Sequence, residues 1–413
     1  MKYLIIGAGP AGLSFACRLL ERGEKDFLLI EKENEAGGLC RSRTVDGAPL
    51  DIGGGHFLDV RNKEVLDFVF QYMPESEWDR YERDSRIFIN DTLIGSPIEA
   101  NIWQMKLSDQ VEYLKAIAIA GCNLGTEKPE RFIDWIYWKL GKKIAEDYMI
   151  PYNQKMFGEE LNALGTYWLE KLPNVSFEET LLSCLEKKAY GTQPGHANFY
   201  YPKKYGYGEL WKRMGEALGE RFRTDITART LDIEKMEVNG ELSADVIINT
   251  VPWKSFERIE GLPSALEKNI ESLKYSSIVV DYKEEALDTK AHWIYYPDPK
   301  LSYHRILVRH NFCPNSRGYW TETNLTRFKK TDTEEGSYKK VQSSGEPGEC
   351  RTFVNDYAYP LNTIGKNEAM DELLSYLKKQ KIYGLGRWGE WQHFNSDVVV
   401  ARALALADEL SEQ

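Results

Sequence analysis

Lys2-Tyr3-Leu4-Ile5-Ile6-Gly7-Ala8-Gly9-Pro10-Ala11-Gly12 opens the chain, and its reading decides the fold. A short apolar run ends in a GxGxxG turn, Leu13 to Arg22 reads as a helix, and Asp26 to Ile30 is a second apolar run closed by Glu31. Strand, glycine turn, helix, strand and acid follow in the order of a dinucleotide-binding unit. Gly7 permits the turn, Gly9 lets backbone approach a pyrophosphate, and Gly12 lets the helix pack close to the strand. The helix N-terminus adds free amides and partial positive charge for phosphates. Glu31 stands nineteen residues beyond Gly12, placed to accept hydrogen bonds from an adenosine ribose. The fingerprint leaves NAD and FAD both open.

The residues just beyond the acid tilt the choice. Glu35-Ala36-Gly37-Gly38-Leu39-Cys40-Arg41 offers a glycine turn and an arginine, which can lie along a longer cofactor, so Gly38, Leu39 and Arg41 join the candidates for FAD. Asp51-Ile52-Gly53-Gly54-Gly55-His56 follows. Its three glycines let backbone pass close to a flat ring system, with His56 beside it to donate a hydrogen bond or respond to redox state. The same run reads equally well as a glycine loop whose histidine is only packed.

Composition narrows the function classes. The length of 413 residues suggests two or three domains, and 42% hydrophobic residues suffice for a globular core. A formal charge of −11 speaks against non-specific nucleic-acid binding, and an anionic substrate would need local basic residues against that background. Six cysteines without a CxxC pair and six histidines without HExxH spacing point to neither a disulfide framework nor a metal site. The first strand begins at the N-terminus and no apolar run reaches the length of a membrane span. The expectation is a cytoplasmic protein without a membrane partner, its oligomeric state left open.

Along the chain, Asn62 to Gln71 reads as a helix, and Arg86 to Ile94 as a hairpin turning at Asn90-Asp91. Ser108 to about Lys187 is helical in pattern, interrupted where Pro151 is expected to end a helix and expose Tyr152, Asn153, Lys155 and Phe157 in a bend. Tyr200 to Gly208 reads as a glycine- and aromatic-rich loop. Ala244 to Pro252 is a buried-strand pattern that rejoins the nucleotide-binding sheet. Strands are expected at 276–283, 291–296, 304–309 and 318–324, in a mostly antiparallel sheet. Thr331 to Glu349 reads as an exposed polar connection, and Asp397 to Leu410 as a helix with an apolar face. The fold class is therefore α/β: a discontinuous Rossmann-like dinucleotide-binding domain (1–80, 190–265 and 355–413), which the resemblance below makes an FAD-binding domain, a helical insertion (102–189), and a mixed or antiparallel sheet insertion (81–101 and 266–354).

Taken together, these segments resemble the flavin-dependent UDP-galactopyranose mutases, the eukaryotic-type enzymes more closely, within the amine-oxidase and protoporphyrinogen-oxidase superfamily. Asp51 to His56 is similar to that family's histidine-bearing glycine loop, and Ile150 to Phe157 to its PYN-x-K-x-aromatic segment. His292 to Pro297 and Ser302 to Ile306 resemble its tyrosine strand and diphosphate-binding arginine. Ala358-Tyr359-Pro360 resembles its tyrosine–proline pair, and Gly386 to Trp391 with Asp397 its last flavin motif. The resemblance implies an isomerase that interconverts pyranose and furanose forms of a nucleotide sugar through an adduct to reduced flavin N5, with no net redox change. FAD would be active when reduced, with NAD(P)H a candidate reductant, in a pathway to cell-surface polysaccharide.

On that resemblance Arg305, His56 and Lys171 are the catalytic candidates. Gly7, Gly9, Gly12, Glu31, Gly38, Leu39, Arg41, Gly55, His56, Gly386 and Asp397 would hold the cofactor. Glu99, Asn153, Phe157, Asn198, Tyr295, Arg305, Tyr359 and His393 would hold the substrate. The chain departs from the family where the nucleotide is read: Ser96-Pro97-Ile98-Glu99 replaces a segment with tyrosine and glutamine. Phe157 stands for a tryptophan and His393 for a tyrosine. A second diphosphate arginine expected near Trp168 to Lys171 is missing, Lys171 being the nearest basic residue. These changes point to a nucleotide sugar other than UDP-galactopyranose. Two rival readings are a substrate-oxidising enzyme of the amine-oxidase type and a non-catalytic nucleotide-binding relative.

Overall fold

The structure, a computed structural model, describes residues 1–413 apart from 60, 124, 159–160, 170–174, 192–196, 332–350 and 413. Tyr3–Ile6 is buried along its whole length, as a central parallel strand must be. It pairs in parallel with Phe27–Ile30 on one side and Val246–Asn249 on the other, Ile5 lying opposite both Leu29 and Ile248. Phe222–Arg223 and Ile382–Gly384 complete the five-stranded parallel sheet at its two edges. The Ala244 to Pro252 segment thus rejoins the first strands, after some two hundred residues of intervening chain. Helix Pro10–Glu21 starts on a proline, whose missing N–H costs nothing in a first turn. It buries Leu13, Phe15, Ala16 and Leu19 between the sheet and helices Gly208–Leu218 and Ser396–Ser411.

A seven-stranded sheet stands beside it, in the order Thr352–Pro360, Tyr275–Lys283, Tyr319–Asn324, Arg305–Val308, Trp293–Tyr295, Ser85–Ile89, Thr92–Gly95. Every pairing is antiparallel except Trp293–Tyr295 with Ser85–Ile89. The hairpin turn takes positive φ at Asn90 (50°) and Asp91 (56°), the backbone that a two-residue turn between right-twisted strands requires. Thr352–Pro360 crosses the expected domain boundary at 355. It is bonded to Tyr275–Lys283 through Pro360, so residues 355–360 belong to this sheet.

Helices Leu107–Gly121, Phe132–Ile144, Ile150–Phe157 and Phe177–Glu186 enclose a third core around Tyr113, Phe132, Ile136 and Tyr148. Two expectations are corrected. Pro151 does not end a helix: it occupies the first turn of Ile150–Phe157, directly after a π-turn at Ala145–Met149, where its absent N–H has no required partner. Asn153 and Lys155 are consequently buried rather than displayed in a bend. The Tyr200 to Gly208 stretch is no simple loop either. Asn198–Pro202 is a strand between Leu58–Asp59 and Trp78–Glu82, because its alternating side chains bury Phe199 and Tyr201. Lys171 and the expected connection at 332–349 lie outside the described residues.

Candidate active site

Two adjoining cavities open at the ends of the parallel strands. The first, of about 280 Å³, is bordered by Gly7, Gly9, Glu31, Gly38, Leu39 and Arg41 at one end and by His56, Arg387 and Ser396 at the other. The glycines explain why it exists. A Cβ at Gly12 would sit 2.0 Å from the Gly7 carbonyl oxygen, so Gly12 is a packing requirement. A Cβ at Gly9 would meet nothing within 4 Å, so the space over that turn is kept open by the fold. Glu31 is buried at the rim, Oε2 accepting from the Ala8 amide at 2.7 Å and Oε1 from the Glu33 amide at 3.0 Å. Arg41 donates to the Gly38 carbonyl at 2.9 Å and pairs with Glu33 and Glu35. Gly386 is a packing position behind the lining: with φ +78°, it brings its backbone so close to Ala11 that a Cβ would lie 2.6 Å from that methyl.

An acid at one end, an open glycine turn with a helix N-terminus in the middle and His56 at the far end suit an elongated dinucleotide. The donor set fits FAD, which Glu31 would meet at the adenosine, Gly9 and the first turn of Pro10–Glu21 at the pyrophosphate, and His56 at the flavin, with Gly55 and Asp397 on the adjoining cavity.

The second cavity, of about 240 Å³, shares His56, Arg387 and Ser396 with the first. Its floor is aromatic, with Phe57 packed edge-on against Phe199 and Trp293 at 4.6 Å each. Arg305 and Tyr359 form its polar wall. Arg305 faces Glu322 across an antiparallel pair and donates to Glu322 Oε2 from Nε at 2.9 Å and from Nη2 at 2.6 Å. Nη2 also donates to the Tyr359 hydroxyl at 3.0 Å. Glu322 has no exposed surface, whereas the Arg305 side chain is 17% exposed, on the cavity side. The other oxygen of Glu322 accepts from the Gly55 amide at 3.1 Å. One buried carboxylate thus fixes both the arginine and the glycine loop.

Around them, burial pushes the Tyr359 hydroxyl up to about 12, so it stays protonated as a donor. His56 Nδ1–H donates to the Gly54 carbonyl at 3.0 Å, leaving Nε2 as the acceptor. Burial, followed by the charge of Arg387, brings the His56 pKa down to about 3, so the ring is neutral at pH 7. The His393 ring packs on Tyr359 at 5.0 Å, and Asp397 stands in the first turn of Ser396–Ser411 on the cavity wall.

Arg305, His56, Gly55, Tyr359, His393 and Asp397 are therefore gathered at one place. Tyr295 stands across the strand pair from Arg305, its hydroxyl accepting from Arg83 at 2.9 Å. The remaining substrate candidates lie apart from the cavity walls. Glu99 is buried, and burial raises its pKa. Asn153 donates to the Met149 carbonyl at 2.7 Å. Phe157 packs on Trp168 at 6.1 Å, while its neighbour Met156 reaches the cavity. Asn198 begins its strand opposite Glu82, and the following Phe199 lines the cavity instead. Sequence reasoning missed Glu322, Arg83 and Trp293. For Glu322 a signal existed, an acid at the centre of an otherwise uncharged strand, Tyr-Trp-Thr-Glu-Thr-Asn.

The fold is shared with known proteins. A model described as an NAD(P)-binding Rossmann-like domain matches residues 5–72. "Probable UDP-galactopyranose mutase" of Klebsiella pneumoniae is 24% identical over 98% of this chain and 94% of its own length. A crystal structure of reduced UDP-galactopyranose mutase superposes with a TM-score of 0.87 at 24% identity, covering 99% of this chain and 93% of that one. A putrescine oxidase with bound putrescine gives a TM-score of 0.67 at 15% identity, covering 100% and 99%. From end to end the chain is built on the fold of the UDP-galactopyranose mutases, and its sequence aligns with one of them over nearly its whole length.

Proposed function

We propose that this protein is an FAD-dependent mutase that interconverts the pyranose and furanose forms of a nucleotide sugar without net redox change. The observation that carries the reading is the triad of Gly55, Glu322 and Arg305. It fixes a guanidinium beside the loop that borders the cofactor cavity, with Nη1 bonded to no described residue. Reduced FAD, held by Gly9, Glu31 and His56, would supply nucleophilic chemistry for the sugar's anomeric carbon.

The chain's own residues have the remaining tasks. Arg305 binds the diphosphate oxygens, where a planar guanidinium orients an anion better than an ammonium. Tyr359 is kept protonated by burial; Arg305 holds its oxygen at 3.0 Å, and its proton, directed at Glu322 Oε2 across a long 3.4 Å, turns to the same oxygens when the diphosphate binds. His56 presents a neutral acceptor, Nε2, toward the flavin end. The aromatic floor of Phe57, Phe199 and Trp293 keeps water from the sugar side.

His393 stands on the cavity wall against Tyr359, where the resemblance assigns a tyrosine. We therefore take the substrate to be a nucleotide sugar other than UDP-galactopyranose, with NAD(P)H as reductant. The test is to incubate FAD-loaded protein, reduced with dithionite or NADPH, with a panel of nucleotide sugars and separate the ring forms chromatographically. Ring interconversion with no stoichiometric loss of reductant supports the reading. Acceptor or peroxide reduction coupled to substrate loss would replace it with an oxidase, and efficient turnover of UDP-galactopyranose alone would overturn the substrate assignment.

A further inference from the structure

Three arginines, Arg83, Arg305 and Arg387, line the second cavity of a protein whose formal charge is −11. Their charges are not equally available. Arg305 is matched by Glu322 at 2.6 Å, so that pair presents almost no net charge to a ligand. Arg387 directs Nε, Nη1 and Nη2 at the carbonyls of Ala358 and Phe394, which occupy those nitrogens but leave its charge unbalanced. Of the cavity's acids, Asp59 is paired with Arg61 at 2.8 Å, and Asp397 sits at the start of the Ser396–Ser411 helix. A diphosphate carries at least two negative charges, and a neutralised Arg305 cannot balance it alone.

Arg83 combines an unbalanced charge with a nitrogen that no described residue occupies. Its Nε donates to Ser85 Oγ at 2.7 Å and its Nη2 to the Tyr295 hydroxyl at 2.9 Å, and its guanidinium carbon lies 4.5 Å from the centre of the Trp293 ring. All three partners are neutral. Among the described residues no carboxylate lies within ion-pair distance of Arg83, and its Nη1 has no hydrogen-bond partner. Stacking on Trp293 and two bonds hold the group flat and oriented, at a cost in side-chain entropy that no ion pair offsets.

The sheet register explains the placement. Ser85 stands opposite Trp293 and Tyr295 opposite Arg305, so Arg83 and Arg305 reach the cavity from either side of the Trp293–Tyr295 strand. Each is bonded to a tyrosine hydroxyl, Arg83 to Tyr295 and Arg305 to Tyr359.

We infer that Arg83 is the second guanidinium of the diphosphate site, gripping with Arg305 the pyrophosphate of a nucleoside diphosphate, the Tyr295 hydroxyl lying between them. The inference rests on the mutase reading for the identity of the ligand. It adds to the site a positive charge from outside the segment around Trp168 to Lys171.

The test uses FAD-loaded protein and the variants Arg83→Ala, Arg83→Lys and Arg305→Ala, with flavin content and melting temperature as controls for folding. Inorganic pyrophosphate, UDP, CDP, GDP and dTDP are titrated calorimetrically. Arg83→Ala should bind the preferred diphosphate about 30-fold or more weakly than wild type, with Arg83→Lys recovering part of the loss. Wild-type affinity in Arg83→Ala, with loss in Arg305→Ala, overturns the role of Arg83 and leaves the mutase reading standing. Weakened diphosphate binding in Arg83→Ala, in a protein that converts no nucleotide sugar, supports Arg83 and removes the mutase reading. A wild type that binds none of the probes defeats both. If Arg83→Ala loses flavin, Arg83→Lys and Arg83→Gln carry the comparison.

Discussion

Lys155 has no exposed surface, yet its ammonium donates to two backbone carbonyls, Tyr296 and Asp298, both at 2.7 Å. It ties helix Ile150–Phe157 to the connection between the strands of Tyr295 and Arg305. Burial brings its pKa down to about 7, with the charge of Arg327 acting in the same direction and Asp298 against it; the Tyr303 ring lies 5.9 Å away. In an unfolded chain a lysine titrates near 10.4. Between these values the unfolded state holds a proton that the folded state has released, so stability rises with pH across that window. At about 1.4 kcal/mol per pKa unit the ceiling is on the order of 4–5 kcal/mol, and relaxation around the charged form brings the expected gain to about 2–3 kcal/mol. Lys155→Met cannot titrate. Urea midpoints of both proteins, measured at intervals from about pH 6 to about pH 10, give a difference in which other titrations cancel. The variant should match or exceed wild type at the acid end, and wild type should gain steadily above neutrality. A difference that stays flat within about 0.5 kcal/mol would refute the claim that this ammonium is desolvated.

The remaining expectations follow from named contacts. Gly9→Val should fold but elute without FAD, because its side chain fills space the fold leaves empty, whereas Gly12→Val should fail to fold through collision with the Gly7 carbonyl; absorbance at the flavin band and circular dichroism separate the two. Glu322→Gln leaves the Arg305 charge without a buried partner and should cost about 3 kcal/mol in denaturant unfolding, with strong coupling to Arg305→Met in a double-mutant cycle. A loss under about 1 kcal/mol would mean the pair is solvated in place. Asp51 is fully buried and its pKa is pushed up to about 7 by that burial, against hydrogen bonds from Ser42, Tyr201 and Tyr207. Its folded form holds a proton that the unfolded chain sheds near pH 4, so wild type should lose stability relative to Asp51→Asn as pH rises from about 4 to about 7. A constant difference over that range would contradict it.

How far the sequence could carry this argument depended on the range of the interaction. The nucleotide-binding turn is legible because its demands are local: Gly7 at φ +96° and Gly12 against the Gly7 carbonyl concern residues within one turn of each other. Helix Ile150–Phe157 was misread because one proline was weighed without the turn that precedes it. The Asn198–Pro202 strand was misread because its partners, Leu58–Asp59 and Trp78–Glu82, lie more than a hundred residues away.

Charge balance is the least local property of all. Arg305 reads as an anion-binding residue in the sequence, but its net charge depends on Glu322, which faces it only because Arg305–Val308 and Tyr319–Asn324 pair in one register. Shifting that register by one residue would turn the carboxylate to the other face of the sheet and leave the arginine free. Glu82-Arg83-Asp84-Ser85-Arg86 is rich in both charges, and Arg86 pairs with Asp84 there. Arg83 is set apart from its neighbours by the parallel pairing of Ser85 with Trp293, which supplies an aromatic face and a tyrosine hydroxyl in place of an acid. A binding site for a dianion is decided by what remains after such pairings are subtracted, and that remainder exists only once the two sheets are built.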